Sequence, residues 1–153
     1  EDILVGGVQD SNVHEDENSD ITGNDYVSDV EVDTDYANAE YWDKRYREYS
    51  PFDWLMEYSH YKANGLSTFI QEGDNILMLG CGSAAFSADM YDDGFINIKN
   101  IDLSSVVIER MSAMHSEVRP EMTWQVMDVQ KLEFDDETFD IVFDKSTMDC
   151  IFC

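Results

Sequence analysis

Basic residues are scarce: nine Lys and Arg stand against 34 Asp and Glu, a formal net charge of −25. Phosphate repels such a surface, so nucleic acid is not an expected partner. A basic protein or a cationic small molecule is the more natural one. Long apolar runs are also missing; none approaches the ~18 residues that would span a bilayer, so no membrane segment is expected. There is no basic stretch leading into an apolar one at the start, so no signal peptide is expected and the chain reads as cytoplasmic. Cysteines are three, Cys81, Cys150 and Cys153, an odd number that suits reduced thiols. Cys150 and Cys153 have redox-motif spacing, but without a second pair or a nearby histidine they read as structural and no metal is expected. His14, His60 and His115 fall in unrelated segments, so neither a Ser-His-Asp nor a Cys-His constellation is evident. What is present suffices for one folded core: 43% of residues are hydrophobic and 12% aromatic.

Composition divides the chain near Tyr36. Residues 1–35 hold many acids and no Lys or Arg, too little apolar surface to offset the entropy of ordering, so a disordered acidic tail is expected there. Residues 36–153 read as the N-terminal part of a globular domain. A helix is expected over 37–49, broken by Ser50-Pro51. A short aromatic connector with Trp54 follows, then a second helix over about 56–70. Beyond Gly73-Asp74, strand-sized apolar runs at 75–79, 96–101, 122–127 and 139–143 alternate with helix-sized segments at 84–91 and 105–115. This order predicts an α/β fold, a Rossmann-like doubly wound parallel sheet with helical crossovers. Ser104 or Ser105 is placed to cap the helix ending at His115, with Ile108 and Met111 on its buried side. The chain stops soon after the fourth strand in apolar sequence, so a further segment completing the sheet is expected.

The first strand enters a glycine turn, Gly80-Cys81-Gly82, and a helix follows, the context that gives such a motif value. Glycine allows the tight bend and a close approach to a ligand. The third glycine of a dinucleotide loop is absent, since position 85 is Ala85. A pyrophosphate normally needs all three. An adenosine ligand without phosphates, such as S-adenosylmethionine, needs only the first turn. The other strand ends agree with a ligand site: each finishes an apolar run with an acid, Asp102, Asp128-Val129 and Asp144-Lys145. Asp102 lies 22 residues beyond Gly80, where an acid can accept hydrogen bonds from ribose hydroxyls. A carboxylate and a backbone N–H at Asp128-Val129 could read an adenine edge.

Several stretches together carry a resemblance to a known family. They are Tyr41-Trp42-Asp43-Lys44-Arg45-Tyr46, Phe52-Asp53-Trp54, Leu79-Gly80-Cys81-Gly82, Ile101-Asp102-Leu103-Ser104-Ser105-Val106-Val107, Met127-Asp128-Val129 and Asp144-Lys145-Ser146-Thr147-Met148-Asp149. In order and spacing they resemble a class I, seven-stranded S-adenosylmethionine-dependent methyltransferase. More narrowly, they resemble the methyltransferase-like family that includes the lysine methyltransferases of translation elongation factor 1A. Met78 fits that family's apolar residue two positions before the first glycine. The resemblance implies S-adenosylmethionine as cofactor, with Gly80, Cys81 and Gly82 bordering its methionine portion. Trp42, Tyr46 and Trp54, which read as core on spacing alone, would close over it as a lid. Asp102 would bind the ribose and Leu103 the adenine face, with Asp128 and Val129 at the adenine edge and Lys145 lining the pocket. Asp144 and Asp149 are the candidates for positioning an acceptor amine. For Asp53, Lys44 and Arg45 an exposed surface role is the default. Ser146 departs from the family pattern, which has Gly after Asp-Lys. The expected function is methylation of a protein lysine, the acceptor being a basic protein such as an elongation factor. A small-molecule methyltransferase, or a catalytically silent fold used as a binding subunit, are the alternatives.

Overall fold

A computed structural model describes residues 36–49, 51 and 53–152. The expected acidic tail and Cys153 lie outside the described residues.

Four strands, β1 (Ile76–Leu79), β2 (Ile98–Asp102), β3 (Thr123–Val126) and β4 (Ile141–Asp144), form one parallel sheet in the order β3-β2-β1-β4. The register pairs Leu79 with Ile101 on one side and with Asp144 on the other, so these strand ends lie side by side. β1 reads as an unbroken apolar run because it is central and covered on both faces; Ile76, Leu77 and Met78 are all buried. Two crossovers lead outward from β1 through β2 to β3, and the chain then returns to β1's other flank as β4. The order therefore reverses between β1 and β4, and in open parallel sheets such a reversal leaves a crevice at the carboxyl ends of the strands.

Helices α1 (Ala39–Glu48), α2 (Tyr58–Ala63), α3 (Phe86–Asp92), α4 (Ser105–His115) and α5 (Thr147–Phe152) accompany the sheet. α4 has the expected bounds, and Ser104 is its cap, its hydroxyl accepting from the Val107 N–H while Ile108 and Met111 are buried. The second helix is much shorter than expected. Gly65, at φ +91°, ends the helical path and a single 3-10 turn, Leu66–Thr68, follows. α5 was not foreseen; its first-turn N–H groups at Thr147 and Met148 are accepted by the Asp144 carboxylate, a local cap hidden among residues that read as strand end and loop. The main core packs Ile76, Met78, Ile98, Phe86, Met90 and Tyr58. A second cluster joins Tyr46 of α1 to Val107, Ile108 and Met111 of α4.

Candidate cofactor-binding site

The strand ends, α1 and the connector after it line a cleft. Trp42, Tyr46, Trp54, Gly80, Asp102, Leu103, Asp128, Val129 and Lys145 line it, together with Ser146 and Thr147. Cys81 and Gly82 border a smaller adjoining pocket that shares Tyr46, Trp54, Gly80 and Lys145 with the first. The structure thus brings nine of the eleven expected cofactor residues, from four strand ends, the N-terminal helix and the connector, around one cleft, and the other two to the pocket beside it.

Backbone geometry explains the glycine turn. Gly80 and Gly82 both adopt left-handed φ values, +54° and +56°, which side chains other than glycine take at a cost. A Cβ on Gly82 would come within 3.1 Å of the Tyr46 hydroxyl, and one on Gly80 would run into Thr147. Ala85, where a dinucleotide loop has its third glycine, has helical φ and ψ of −72° and −8°, so no glycine is required there.

Asp102 is 5% exposed, and its two carboxylate oxygens accept the N–H groups of Gly82 and Ser104, each at 2.9 Å. It therefore ties the glycine turn to the start of α4. Burial pushes this carboxyl up to about 6, against the Ser104, Gly82 and Leu103 backbone N–H groups that favour its charge. Burial, with the nearby Asp102 charge adding, also raises the Cys81 thiol and the Tyr46 phenol, so both are held neutral. On the far strand, the Asp128 carboxylate accepts the Gln130 N–H at 2.9 Å, a tight turn that presents residues 128–130 to the cleft.

α1 is fastened by Asp43, for which no role was expected. Its Oδ1 accepts from the Ser104 hydroxyl at 2.5 Å and from the Val106 N–H at 3.3 Å, and Arg110 donates to the Tyr46 carbonyl. Burial works against the Asp43 charge, but the Ser104 and Val106 bonds outweigh it and hold the carboxyl below its usual range. Held this way, α1 stacks Trp42 on Tyr46, ring centroids 5.9 Å apart, at the cleft wall. Tyr36 joins this wall, its carbonyl accepting from the Trp42 indole at 2.8 Å. Sequence spacing had no signal for Tyr36, which lies just where the composition changes.

Two expectations are corrected. Asp53 is not a free surface acid but the partner of Lys145, Nζ to Oδ1 at 2.8 Å, with Asp53's side chain 22% exposed. Arg45 packs its guanidinium against the rings of Tyr49 and Trp54, whereas Lys44 is exposed as expected. Asp144 and Asp149 are not among the cleft-lining residues, and Asp144 is engaged as the cap of α5. Among the described residues no group of His, Cys, Asp and Glu is arranged to hold a metal ion, and no helix is long and apolar enough to cross a membrane.

Residues 76–152, the span from β1 through α5, match the family model described as "Methyltransferase domain". The chain belongs to that family. Among curated proteins, eEF1A lysine and N-terminal methyltransferase of Xenopus laevis is 39% identical over 119 residues, which cover 76% of this chain and 17% of the relative. EEF1A lysine methyltransferase 4 of Mus musculus is 34% identical over 119 residues, covering 76% of this chain and 46% of the relative. This methyltransferase domain therefore spans less than half the length of either relative. Among solved structures, an S-adenosylmethionine dependent methyltransferase from Mesorhizobium loti aligns with a TM-score of 0.43 and 26% identity over 52% of this chain and 37% of its own.

Proposed function

We propose that this chain is the cofactor-binding part of an S-adenosylmethionine-dependent methyltransferase that acts in the cytoplasm on a lysine side chain of a basic protein, such as a translation elongation factor. The observation that carries the reading is the cleft at the reversal of strand order, where Gly80, Asp102, Asp128 and the aromatic side chains of α1 and the connector converge. Relatives named as elongation factor 1A lysine methyltransferases support the choice of acceptor.

The residues present fit the cofactor. Asp102 lines the cleft with an acceptor carboxylate for ribose hydroxyls, and Leu103 offers an apolar surface beside it for a base. Gly80 and Gly82 allow the left-handed backbone of the turn that borders the cleft and its adjoining pocket. Trp42, Tyr46 and Trp54 line the cleft, and aromatic rings attract a ligand that carries positive charge. Lys145 would oppose such a charge, but Asp53 compensates it.

When bound, S-adenosylmethionine supplies an electrophilic methyl group on a sulfonium sulfur. The work of this chain is then positioning. Asp102 and the glycine turn orient the ligand, and the aromatic wall excludes water, so that the incoming amine meets a fixed partner. An acceptor lysine must arrive neutral, and acids close to it would favour its charged form. The acidic composition, −25 overall, draws a basic protein toward the domain.

Calorimetric titration with S-adenosylmethionine tests the reading. The chain is expected to bind, and Asp102→Ala to lose about tenfold or more, since a hydrogen bond to a charged group contributes ~1.5–3 kcal/mol. Unchanged affinity in the variant would show the ribose assignment to be wrong. With labelled cofactor and a lysate, label should enter lysine in protein; label confined to small molecules would favour the small-molecule reading.

A further inference from the structure

Lys145 leaves the end of β4 with its side chain only 11% exposed. Its Nζ donates to Asp53 Oδ1 at 2.8 Å and to the Trp54 carbonyl at 2.6 Å, and lies 5.5 Å from the centre of the Phe86 ring. Both hydrogen bonds reach the same target, the connector between α1 and α2. That connector contains neither helix nor strand over residues 53–57 and exposes Leu55 (70%) and Met56 (48%) to solvent. Leu55 sits at φ +64°, a left-handed conformation unusual for a residue that is not glycine. This stretch has an unfavourable backbone and outward apolar side chains, and it is held by the Lys145 bonds and by the Arg45 guanidinium against the Trp54 ring. It carries Trp54 into the wall of both pockets. Its surroundings are acidic: the Asp89 carboxyl is raised first by burial and then by the charges of Asp53, Asp92 and Glu57, with Arg119 opposing. Without a compensating cation, Asp53 would be pushed away from these neighbours and would carry the connector with it.

We propose that the Asp53–Lys145 pair is a latch that positions Trp54 and the 53–57 connector as a lid over the cleft. Lys145 is then a positioning residue that acts on the ligand through the lid. The ligand half of this inference rests on the cofactor reading above; the latch itself does not. Lys145 also joins β4, beside the glycine turn, to the connector, so this ion pair couples two sides of the cleft. Because Asp53 neutralises it, the lysine can stand beside a cationic ligand without repelling it. Asp53 is not among the cleft-lining residues, so its removal reaches a ligand only by way of Lys145 and Trp54.

The test uses Asp53→Ala, Asp53→Asn, Lys145→Met and the double variant Asp53→Ala/Lys145→Met, with two readouts. The first is amide hydrogen exchange in the ligand-free chain. Exchange over residues 53–57 is expected to quicken in every variant while β1 and β2 stay as protected as in the parent. The second is calorimetric affinity for S-adenosylhomocysteine. If the closed lid falls from about nine-tenths to about one-tenth of the population, apparent affinity drops about tenfold. The double variant should lose no more than Lys145→Met alone, and Asp53→Glu should recover part of the loss. Unchanged exchange in Asp53→Ala and Asp53→Asn would overturn the latch. Additive affinity losses in the double variant would overturn it too, because Lys145 would then contact the ligand independently of Asp53. If the parent binds no S-adenosylhomocysteine, the cofactor reading fails, and the exchange measurement alone decides the latch.

Discussion

Replacing Gly80 by alanine should expose how tightly the glycine turn is built. Two separate costs follow from the structure. The residue sits at φ +54°, and placing a Cβ in left-handed conformation costs ~1–2 kcal/mol. That Cβ would also lie 2.8 Å from Thr147 Cγ2 and 3.0 Å from Thr147 Cβ, and would overlap the threonine hydroxyl. Thr147 cannot easily turn aside, because its hydroxyl donates to the Leu79 carbonyl at 2.9 Å and β-branching restricts its χ1. Overpacking of this kind costs ~1–3 kcal/mol. The sum, about 3 kcal/mol, is a large part of the ~5–15 kcal/mol that holds a typical domain folded. Urea unfolding followed by circular dichroism measures it. The double variant Gly80→Ala/Thr147→Ala separates the two costs, since it removes the overlapping atoms and leaves the backbone strain. Thr147→Ala alone should lose about 1 kcal/mol with its hydrogen bond, and the pair should be less destabilised than the sum of the singles by about 1–2 kcal/mol. A Gly80→Ala protein within about 1 kcal/mol of the parent, or strictly additive singles, would refute the reasoning: the turn would then relax freely and α5 would not pack against it.

Further outcomes follow from the same geometry. Ser146 adopts φ +75°, a left-handed conformation that favours glycine; Ser146→Gly is expected to add up to ~1 kcal/mol of stability in urea unfolding, and a loss would show that the hydroxyl compensates for the strain. Asp102, with its folded carboxyl raised to about 6 from an ordinary value of about 3.9, binds its proton more tightly in the native state. Its contribution to stability is therefore fullest below the ordinary carboxylate value and is lost as pH rises through about 6, a span of about 3 kcal/mol. Asp102→Asn removes the titration, so its stability relative to the parent should climb as pH rises from ~4 to ~7; a flat difference across unfolding curves at several pH values would count against the burial argument.

How much of this was readable beforehand depended on whether the cause was local. α4 was legible to the residue because its cap, Ser104, and its buried stripe, Ile108 and Met111, lie within one helix. β1 was legible because a central parallel strand must be apolar on both faces. The second helix was overestimated because Gly65 looks tolerable inside an apolar pattern; only its left-handed φ shows that the chain turns there. α5 was hidden because its cap comes from the acid that also ends β4.

The sequence by itself determined the succession of strands along the chain, the glycine turn and the acids at the strand ends, because each follows from hydrophobic period, backbone freedom or position after an apolar run. Tertiary structure alone decided what those groups do. Asp102 serves the backbone of the turn and of α4 at once, Asp43 holds α1 on α4, and Asp53 meets Lys145 across 92 residues of chain. No spacing rule links residues so far apart; they meet because parallel pairing on both sides of β1 brings every carboxyl end of the sheet to one edge.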